Sequence, residues 1–415
     1  MPHFLDSVPF SGIIRIRDMM YAVERPFRLD QGDVSFDAPD SVKQGMVAAI
    51  ADNRTHYLQT SGVPRLQELL AEKLRAKNHI PVGSPDEVLV TNGGIHALYI
   101  LFQALLEPGD EVVIPDPLWP PGAGTILSAR GVVVRYPLHE AAGWRFDIDE
   151  LAACLTPKTR AIYVNSPQNP TGGVLTRGDI GAIARLADQR GLWLVSDEAY
   201  EDVVFDVEHV SAASLPGMYP RTVPVYTFSK SYAMTGLRLG YLAVSDAALR
   251  DRVRKALFFT TSNVASVVQY GGIAGLEGSQ DVVGQFRAEL QARRDLFYQG
   301  IESLGGVFSG RPPRGAFYAF LKFDPEWKKR VNIQPSAQGF SLVPQDSSLV
   351  PRGSDPSAES PSWELTAFLI AAGRIGCVPG VDFGPGGEGY LRFCFARDRT
   401  ELTGAIESMR KVFYR

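Results

Sequence analysis

Apolar residues along this chain alternate between two spacings, one typical of strands and the other typical of helices. Short apolar runs that predict buried strands lie at residues 87–91, 111–114, 131–136, 160–164, 192–196, 223–228 and 239–244. Between them, apolar residues recur at helical spacing at residues 64–77, 93–106 and 177–190. Strands that alternate with helices are typical of crossover units. The pattern therefore predicts an α/β fold, with a mostly parallel, seven-stranded sheet between helices.

The pattern changes past about residue 280. A long charged helix at residues 282–304 is followed by a strand at 316–320, a helix at 363–373, two short strands and a terminal helix at 399–413. This order is typical of a smaller α+β domain. A chain of 415 residues exceeds the size at which a single core stops growing. We therefore predict a large domain at residues 41–284 and a small domain at residues 285–415.

One segment, residues 332–361, follows neither spacing. It is rich in Ser, Pro and Gly and is long for a loop inside a compact domain. Residues 349–354 read Leu-Val-Pro-Arg-Gly-Ser, which matches a commonly engineered thrombin-cleavage site. We predict a flexible surface insertion, with an engineered origin and a natural loop as the two alternatives, and exclude it from the functional argument.

Composition excludes several classes of function. The chain has 42 Lys and Arg against 46 Asp and Glu, and no long basic run, so we expect no nucleic-acid partner. No apolar stretch is long enough to span a bilayer, and the N-terminus lacks the features of a signal peptide, so we expect no membrane partner. Cys154, Cys377 and Cys394 are widely spaced. This spacing predicts a reducing, cytoplasmic location and neither a disulfide framework nor a metal site.

The most informative residue is Lys230, which lies between Ser229 and Ser231 and shortly before Arg238. This setting suits an amine held inside a site, with hydroxyls and a guanidinium around an anion, better than it suits a solvated helix. Buried lysines have lowered pKa values and form Schiff bases with aldehydes. We therefore expect a pocket for an aldehyde cofactor that carries a phosphate.

Three further motifs follow predicted strands. The glycines at 93–94 begin a helix, where backbone N–H groups and the helix dipole can meet a phosphate; a tight turn is the alternative. Asn169 lies between two prolines that hold it as a rigid donor. Asp197 and Tyr200 follow another apolar strand, at the edge where open α/β sheets bind ligands. A helix N-cap is the alternative for Asp197, and a core aromatic is the alternative for Tyr200.

The order of these motifs resembles that of the fold-type I pyridoxal-phosphate enzymes, specifically the class I and II aminotransferases of the aspartate aminotransferase superfamily. Matching segments lie at residues 32–36, 56–58, 315–318, 378–380 and 392–396. The resemblance covers nearly the whole chain apart from residues 332–361. It implies a transaminase that uses pyridoxal 5'-phosphate and acts on an amino acid and a 2-oxo acid. It also places residues 1–40 in the small domain.

The resemblance implies a role for each candidate residue around the cofactor ring. Lys230 resembles the lysine that forms the Schiff base and then carries a proton. Asp197 resembles the aspartate that keeps the pyridine nitrogen protonated, so that the ring can accept electrons. Asn169 and Tyr200 resemble the donors to the cofactor's phenolic oxygen, which help to set the pKa of the imine. Trp119 resembles the aromatic residue that stacks on the ring, and covering the sheet edge is its alternative.

The resemblance also implies an anchor for the phosphate and a clamp for the substrate. The phosphate ligands would be the backbone of Gly93 and Gly94 together with Thr227, Ser229 and Arg238. For Arg238 a surface ion pair is the alternative. Tyr57 resembles a tyrosine that reaches this phosphate from a neighbouring subunit, which implies a homodimer with shared active sites. Arg392 resembles the arginine that binds the substrate α-carboxylate, with the Gly32 backbone opposite.

The type of substrate side chain is predicted from the absence of a basic residue after the two glycines. Members of this family that use acidic substrates tend to have a basic residue after the two glycines, and here that residue is Ile95. The N-terminal segment 9–14, which in relatives covers the substrate side chain, is also apolar. A distal carboxylate would be left buried without a partner. We therefore expect a neutral apolar or aromatic amino donor, with a 2-oxo acid such as 2-oxoglutarate as acceptor.

Two alternatives stay open on the sequence alone. A β-lyase that splits a C–S bond on the same fold would use the same lysine, aspartate and arginine. A non-catalytic, aminotransferase-like ligand-binding protein is the more distant alternative, because every expected catalytic position is filled.

Overall fold

A seven-stranded sheet forms the centre of the molecule, whose computed structural model describes residues 4–331 and 360–413. Its strands are β1 Val88–Thr91, β2 Glu111–Asp116, β3 Val132–Pro137, β4 Thr159–Asn165, β5 Trp193–Asp197, β6 Thr222–Thr227 and β7 Gly240–Ala243. Their spatial order is β1-β7-β6-β5-β4-β2-β3, and only β7 runs antiparallel to its neighbours. The predicted mostly parallel, seven-stranded sheet is confirmed.

Helices cover both faces of this sheet. The helices of the first 280 residues are α1 Gly12–Tyr21, α2 Asp40–Ala51, α3 Pro64–Ala76, α4 Gly94–Leu105, α5 Pro120–Ser128, α6 Ile148–Ala153, α7 Arg177–Gln189, α8 Phe228–Ser231, α9 Ala247–Thr261 and α10 Ser266–Glu277. Successive strand residues face opposite sides, as the pleat requires. Val112 and Ile114 pack with α4, α5 and α9, whereas Val113 packs on the other side with α6 and α7.

Local signals explain why particular helices begin where they do. In α3, Pro64 occupies the first turn, where its missing N–H is not needed, and Leu66, Leu70 and Leu74 recur at helical spacing on the buried face. A capping box opens α7, since the Thr176 hydroxyl accepts from the Asp179 N–H and the Asp179 carboxylate accepts in return.

A second, antiparallel sheet lies in the C-terminal part of the chain. Its strands are β8 Phe308–Ser309, β9 Tyr318–Phe323, β10 Val378–Pro379 and β11 Tyr390–Cys394, in the order β10-β11-β9-β8. Helices α11 Asp281–Glu302, α12 Pro361–Gly373 and α13 Arg399–Phe413 accompany it. The N-terminal helix α1 joins this region, because Ile16 and Met20 pack with Trp363 and Ile370 of α12. The predicted small α+β unit is therefore present, while its exact boundaries stay predictions.

Two expectations need separate comment. Of the predicted insertion at residues 332–361, only Ser360 and Pro361 fall within the described residues, where Ser360 caps α12 and Pro361 begins it. The rest of that prediction lies outside them. Among the described helices, none has the length and apolar character that crossing a membrane requires.

A largely buried ion pair connects α3 to the turn after β5. The Lys73 ammonium pairs with the Glu201 carboxylate, which also accepts a hydrogen bond from the Asn78 amide at 2.6 Å. Burial lowers the pKa of Lys73, and Glu201 acts against that shift. Lys73 therefore depends on Glu201 for its charge.

We expect Glu201→Gln to destabilise the protein by about 3 kcal/mol, because it leaves the Lys73 charge buried without its counter-ion. Urea unfolding measures the loss. The matched control is Glu277→Gln, which breaks an exposed pair with Arg65 between α10 and α3. That change should cost less than about 1 kcal/mol. Equal effects of the two substitutions would contradict the role assigned to Glu201.

Candidate active site

The candidate residues gather at the carboxyl edge of the large sheet. Strands β4, β5 and β6 are parallel neighbours, and their register places Asn165 beside Asp197 and Asp197 beside Val225. Thr227 ends β6 at the same edge. Because parallel strands end together, residues that are distant in the sequence meet here, where open α/β sheets bind ligands.

An anion cradle forms where the Gly93–Gly94 turn meets the end of β6. Gly93 has a φ of 79°, which favours glycine, and the added Cβ of any other residue would lie 2.5 Å from an Arg238 guanidinium nitrogen. The Gly93 N–H donates to the Thr91 carbonyl at 2.8 Å. The N–H groups of the first turn of α4, which begins at Gly94, have no acceptor within the helix and suit an anion.

Hydroxyl and guanidinium groups complete the cradle. The Thr227 hydroxyl donates to the Ser229 hydroxyl at 2.9 Å, and the Cβ of Thr227 lies 3.7 Å from the position of a Cβ at Gly94. Arg238 donates to the Thr235 carbonyl at 2.7 Å, and its side chain is exposed. The structure thus brings together the five predicted phosphate-binding positions, although the Gly93 N–H already has the Thr91 carbonyl as its acceptor.

Asp197 is buried at the end of β5 and has a specific hydrogen-bond donor. The Tyr163 hydroxyl donates to Asp197 Oδ2 at 2.6 Å, and the Ala199 N–H donates to Oδ1 at 3.2 Å. Burial raises the pKa of Asp197 to about 6, and the Tyr163 hydrogen bond opposes this rise. The Ala199 contact resembles the cap that was the alternative for Asp197, but no helix follows in residues 198–202.

Asn169, Tyr200 and Trp119 form a connected group. The Asn169 amide donates to the Tyr200 hydroxyl at 3.5 Å, and the Trp119 N–H donates to the Asn169 carbonyl at 3.1 Å. The Asn169 N–H donates to the Asn165 side chain at 2.9 Å, which fixes the loop to β4. Trp119 is half-buried at the start of α5.

Lys230 projects from the short helix α8 toward the N-terminal segment. Its Nζ donates to the Gly32 carbonyl at 2.6 Å and lies 5.8 Å from the centre of the Tyr200 ring. Burial lowers the pKa of Lys230 to about 8, and the charges of Arg392 and Arg238 act in the same direction. A substantial fraction of this amine is therefore neutral near pH 7 to 8, as a nucleophile or a base requires.

Arg392 lies in β11 and is 1% exposed. Its guanidinium donates to the Asn169 side-chain oxygen at 3.1 Å and to the Asp30 carbonyl at 2.7 Å, while its Nε has no partner among the described residues. Two rings, those of Tyr318 and Phe383, lie 4.5 and 5.0 Å from it. Its hydrogen-bond acceptors are neutral, so this buried cation is suited to bind an anion.

Two predicted positions, Tyr57 and Gly32, do not contact their expected partners within the single chain. Tyr57 is 90% exposed and so lies free to reach another molecule. Gly32 uses its carbonyl for Lys230 rather than for a group opposite Arg392.

The sequence argument missed two tyrosines that contact the candidate residues. Tyr163 holds Asp197, and the Tyr318 hydroxyl lies 2.8 Å from that of Tyr200. Both lie in apolar strands, where a buried aromatic is the ordinary expectation. The residue type could have indicated their role, because a buried tyrosine hydroxyl usually has a hydrogen-bond partner.

Comparison with known proteins now decides the family. The profile for "Aminotransferase class I and II" matches residues 24–409. The chain belongs to that family. It is 33% identical over 411 residues to aromatic-amino-acid aminotransferase 2 of Thermococcus litoralis, covering 98% of this chain and 97% of that protein. It is also 33% identical over 411 residues to aspartate aminotransferase of Pyrococcus abyssi, with the same coverage. A double mutant of Thermus thermophilus aspartate aminotransferase has a TM-score of 0.85 at 30% identity, covering 99% of each chain.

The protein is therefore a transaminase that uses pyridoxal phosphate, and its own residues fit that cofactor. The cradle at the start of α4 admits only glycine at position 93, next to a guanidinium. Lys230 has the lowered pKa that an aldehyde-binding amine needs, and Asp197 is a buried carboxylate suited to a ring nitrogen. The aminotransferase assignment separates this chain from the β-lyase and the non-catalytic alternatives.

We expect Gly240→Ala to disrupt the aminotransferase cradle. An added Cβ would lie 2.7 Å from the Gly93 carbonyl carbon and 2.8 Å from the Gly94 nitrogen, and both are backbone atoms that cannot turn away. Affinity for pyridoxal phosphate, measured by titrating the cofactor-free protein, should fall about tenfold or more as the turn shifts.

Gly236→Ala is the matched control, because nothing lies within 4 Å of its added Cβ. Its affinity for the cofactor should equal that of the wild type. If Gly240→Ala bound the cofactor equally well, the cradle would be misassigned.

We expect Tyr163→Phe to move the acid-side loss of kcat/KM to higher pH by about one unit. The hydroxyl stabilises the charged form of Asp197, so its removal raises the pKa of that carboxyl above about 6. The protonated, inactive form then persists to higher pH. The control is Tyr136→Phe, which removes a neighbouring buried hydroxyl that donates to the Tyr163 carbonyl at 3.5 Å and not to Asp197. An unchanged profile for Tyr163→Phe would exclude this role.

Proposed function

We propose that this aminotransferase moves the amino group of a neutral apolar or aromatic L-amino acid to a 2-oxo acid, with 2-oxoglutarate as a suitable acceptor. The observation that carries the proposal is the buried guanidinium of Arg392, whose Nε is unpartnered among the described residues. Both reactants carry an α-carboxylate, and a bidentate arginine is the expected partner for that group.

The surroundings of Arg392 support an uncharged substrate side chain. Phe320 and Val378 are its register neighbours on β9 and β10, and Phe383 lies beside its guanidinium. Ile95 occupies the first turn of α4, where a cation would be needed for a second carboxylate. The two relatives of equal identity are named for aromatic amino acids and for aspartate. Overall sequence similarity therefore does not distinguish aromatic amino acids from aspartate as substrates. The apolar surroundings of Arg392 support an aromatic or other apolar amino acid.

The chain's own groups supply the remaining chemistry. When bound, pyridoxal phosphate provides an electron sink for the electron pair of the substrate Cα–H bond. In this role Lys230 Nζ would take the proton from the substrate Cα and carry it to the cofactor's C4′, since its pKa of about 8 lies near neutral pH. With the cofactor in place, Asp197 would keep the ring nitrogen protonated, and Asn169 and Tyr200 would donate to the phenolic oxygen. The residues that would hold its phosphate are those of the Gly93–Gly94 cradle together with Thr227, Ser229 and Arg238.

Exposed groups support a homodimer with shared active sites. Tyr57 is 90% exposed, and Arg238 of the phosphate cradle is also exposed in the single chain. Phe259 of α9 is 83% exposed, although an aromatic side chain gains by being covered. A second subunit that delivers its tyrosine to the cradle would account for these exposures. Three free cysteines support a reducing, cytoplasmic location.

Single-turnover rates test the proposed substrate class. The visible band of the cofactor-loaded protein should convert faster with phenylalanine or leucine than with aspartate, because position 95 holds Ile rather than a cation for the distal carboxylate. Ile95→Lys should raise the rate with aspartate, whereas Val132→Lys, which adds a cation at an exposed position of β3, should not. Aspartate reacting fastest by about tenfold would contradict the proposal.

A further inference from the structure

Tyr318, on β9, contacts three of the candidate residues at once. Its hydroxyl lies 2.8 Å from that of Tyr200, and its ring lies 4.5 Å from the Arg392 guanidinium. A Cβ added to Gly32 would lie 2.4 Å from its hydroxyl oxygen. The side chain is 1% exposed, so these contacts leave it little freedom. No role has been assigned to it so far.

The number of protons fixes the direction of the Tyr200–Tyr318 hydrogen bond. Either hydroxyl could donate in the chain by itself. A hydroxyl has one hydrogen, and Tyr200 must give its hydrogen to the phenolic oxygen of the cofactor in its proposed role. Tyr318 must then be the donor to Tyr200. A hydroxyl that accepts a hydrogen bond becomes a stronger donor, so Tyr318 strengthens the bond that Tyr200 makes.

The ring of Tyr318 acts separately on Arg392. Within residues 4–331 and 360–413, the acceptors of this guanidinium are neutral oxygens, and an aromatic face stabilises a desolvated cation in such surroundings. The contact also restricts the movement of the guanidinium. Arg392 therefore needs little rearrangement when a carboxylate arrives, which lowers the entropy loss on binding.

We propose that Tyr318 is a positioning residue for both halves of the site. Its hydroxyl sets the donor strength of Tyr200, and its ring pre-orders Arg392 for the substrate carboxylate. This inference rests on the proposed roles of Tyr200 and Arg392. It also explains Gly32, because the hydroxyl of Tyr318 leaves no room for a side chain at that position.

Tyr318→Phe tests the hydroxyl, because it keeps the ring. A weaker donor at the phenolic oxygen leaves more negative charge there, which favours the protonated imine. The pH midpoint of the visible band should therefore rise by about half a unit. Tyr298→Phe is the control, since this buried tyrosine of α11 belongs to the core of the small sheet. A midpoint equal to that of the wild type would overturn the role of the hydroxyl.

Tyr318→Leu tests the ring. The dissociation constant of 3-phenylpropanoate, a carboxylate that lacks the amino group, should rise about five- to tenfold. With Tyr318→Phe it should stay within about twofold of the wild type. Equal affinity in the leucine variant would overturn the role of the ring. Equal losses in both variants would also overturn it, because they would show general damage to the site.

A third measurement needs no cofactor. Gly32→Ala should lower the thermal unfolding midpoint of the cofactor-free protein, because the added Cβ clashes with the Tyr318 hydroxyl. The decrease should be smaller in the Tyr318→Phe background, where that oxygen is absent. Equal losses would contradict the proposed contact. A wild-type protein that reacts fastest with aspartate would instead refute the proposed function. A normal wild type with unresponsive Tyr318 variants would refute this inference alone.

Discussion

The removal of water from Arg392 is the constraint on which the rest of the site depends. A guanidinium that is 1% exposed loses its hydration and must regain that free energy from the protein or from a ligand. Asn169 and the Asp30 carbonyl supply two acceptors, both neutral, and Tyr318 and Phe383 supply aromatic faces. This arrangement stabilises the cation while leaving it available to a carboxylate. The loop after β4, the N-terminal segment and strand β9 of the small sheet therefore all contact this guanidinium.

Exclusion of water also shifts the pKa values of Lys230 and Asp197, in opposite directions. Burial disfavours a charged amine, so the pKa of Lys230 falls to about 8. It also disfavours a charged carboxylate, so the pKa of Asp197 rises to about 6. Between these values, the carboxylate is charged and part of the amine is neutral. Burial alone therefore sets a pH range in which neutral Lys230 and ionised Asp197 are present together.

The sequence predicted the large sheet because its strands are short apolar runs. These runs lie between segments whose apolar residues recur at helical spacing. It also singled out Lys230 from its position between two serines near Arg238, and Asp197 from its position after an apolar strand, whereas the role of Arg392 came from the resemblance to aminotransferases. The sequence did not reveal Tyr163 or Tyr318, whose roles depend on contacts across strands. Tyr163 reaches Asp197 from a neighbouring strand, and Tyr318 reaches Tyr200 from the other sheet. Such contacts follow from register and packing, which spacing along one chain does not determine.

The hydrogen bond from Arg392 to the Asp30 carbonyl joins residues that lie 362 positions apart. Contacts of such separation form late, because a long loop must close before they contribute. During synthesis the large sheet can be complete while residue 392 has not yet left the ribosome. A nascent chain at that stage has the cofactor cradle and the lysine but not the substrate clamp. The ability to bind an amino acid by its carboxylate therefore arises only when residues 30 and 392 have met.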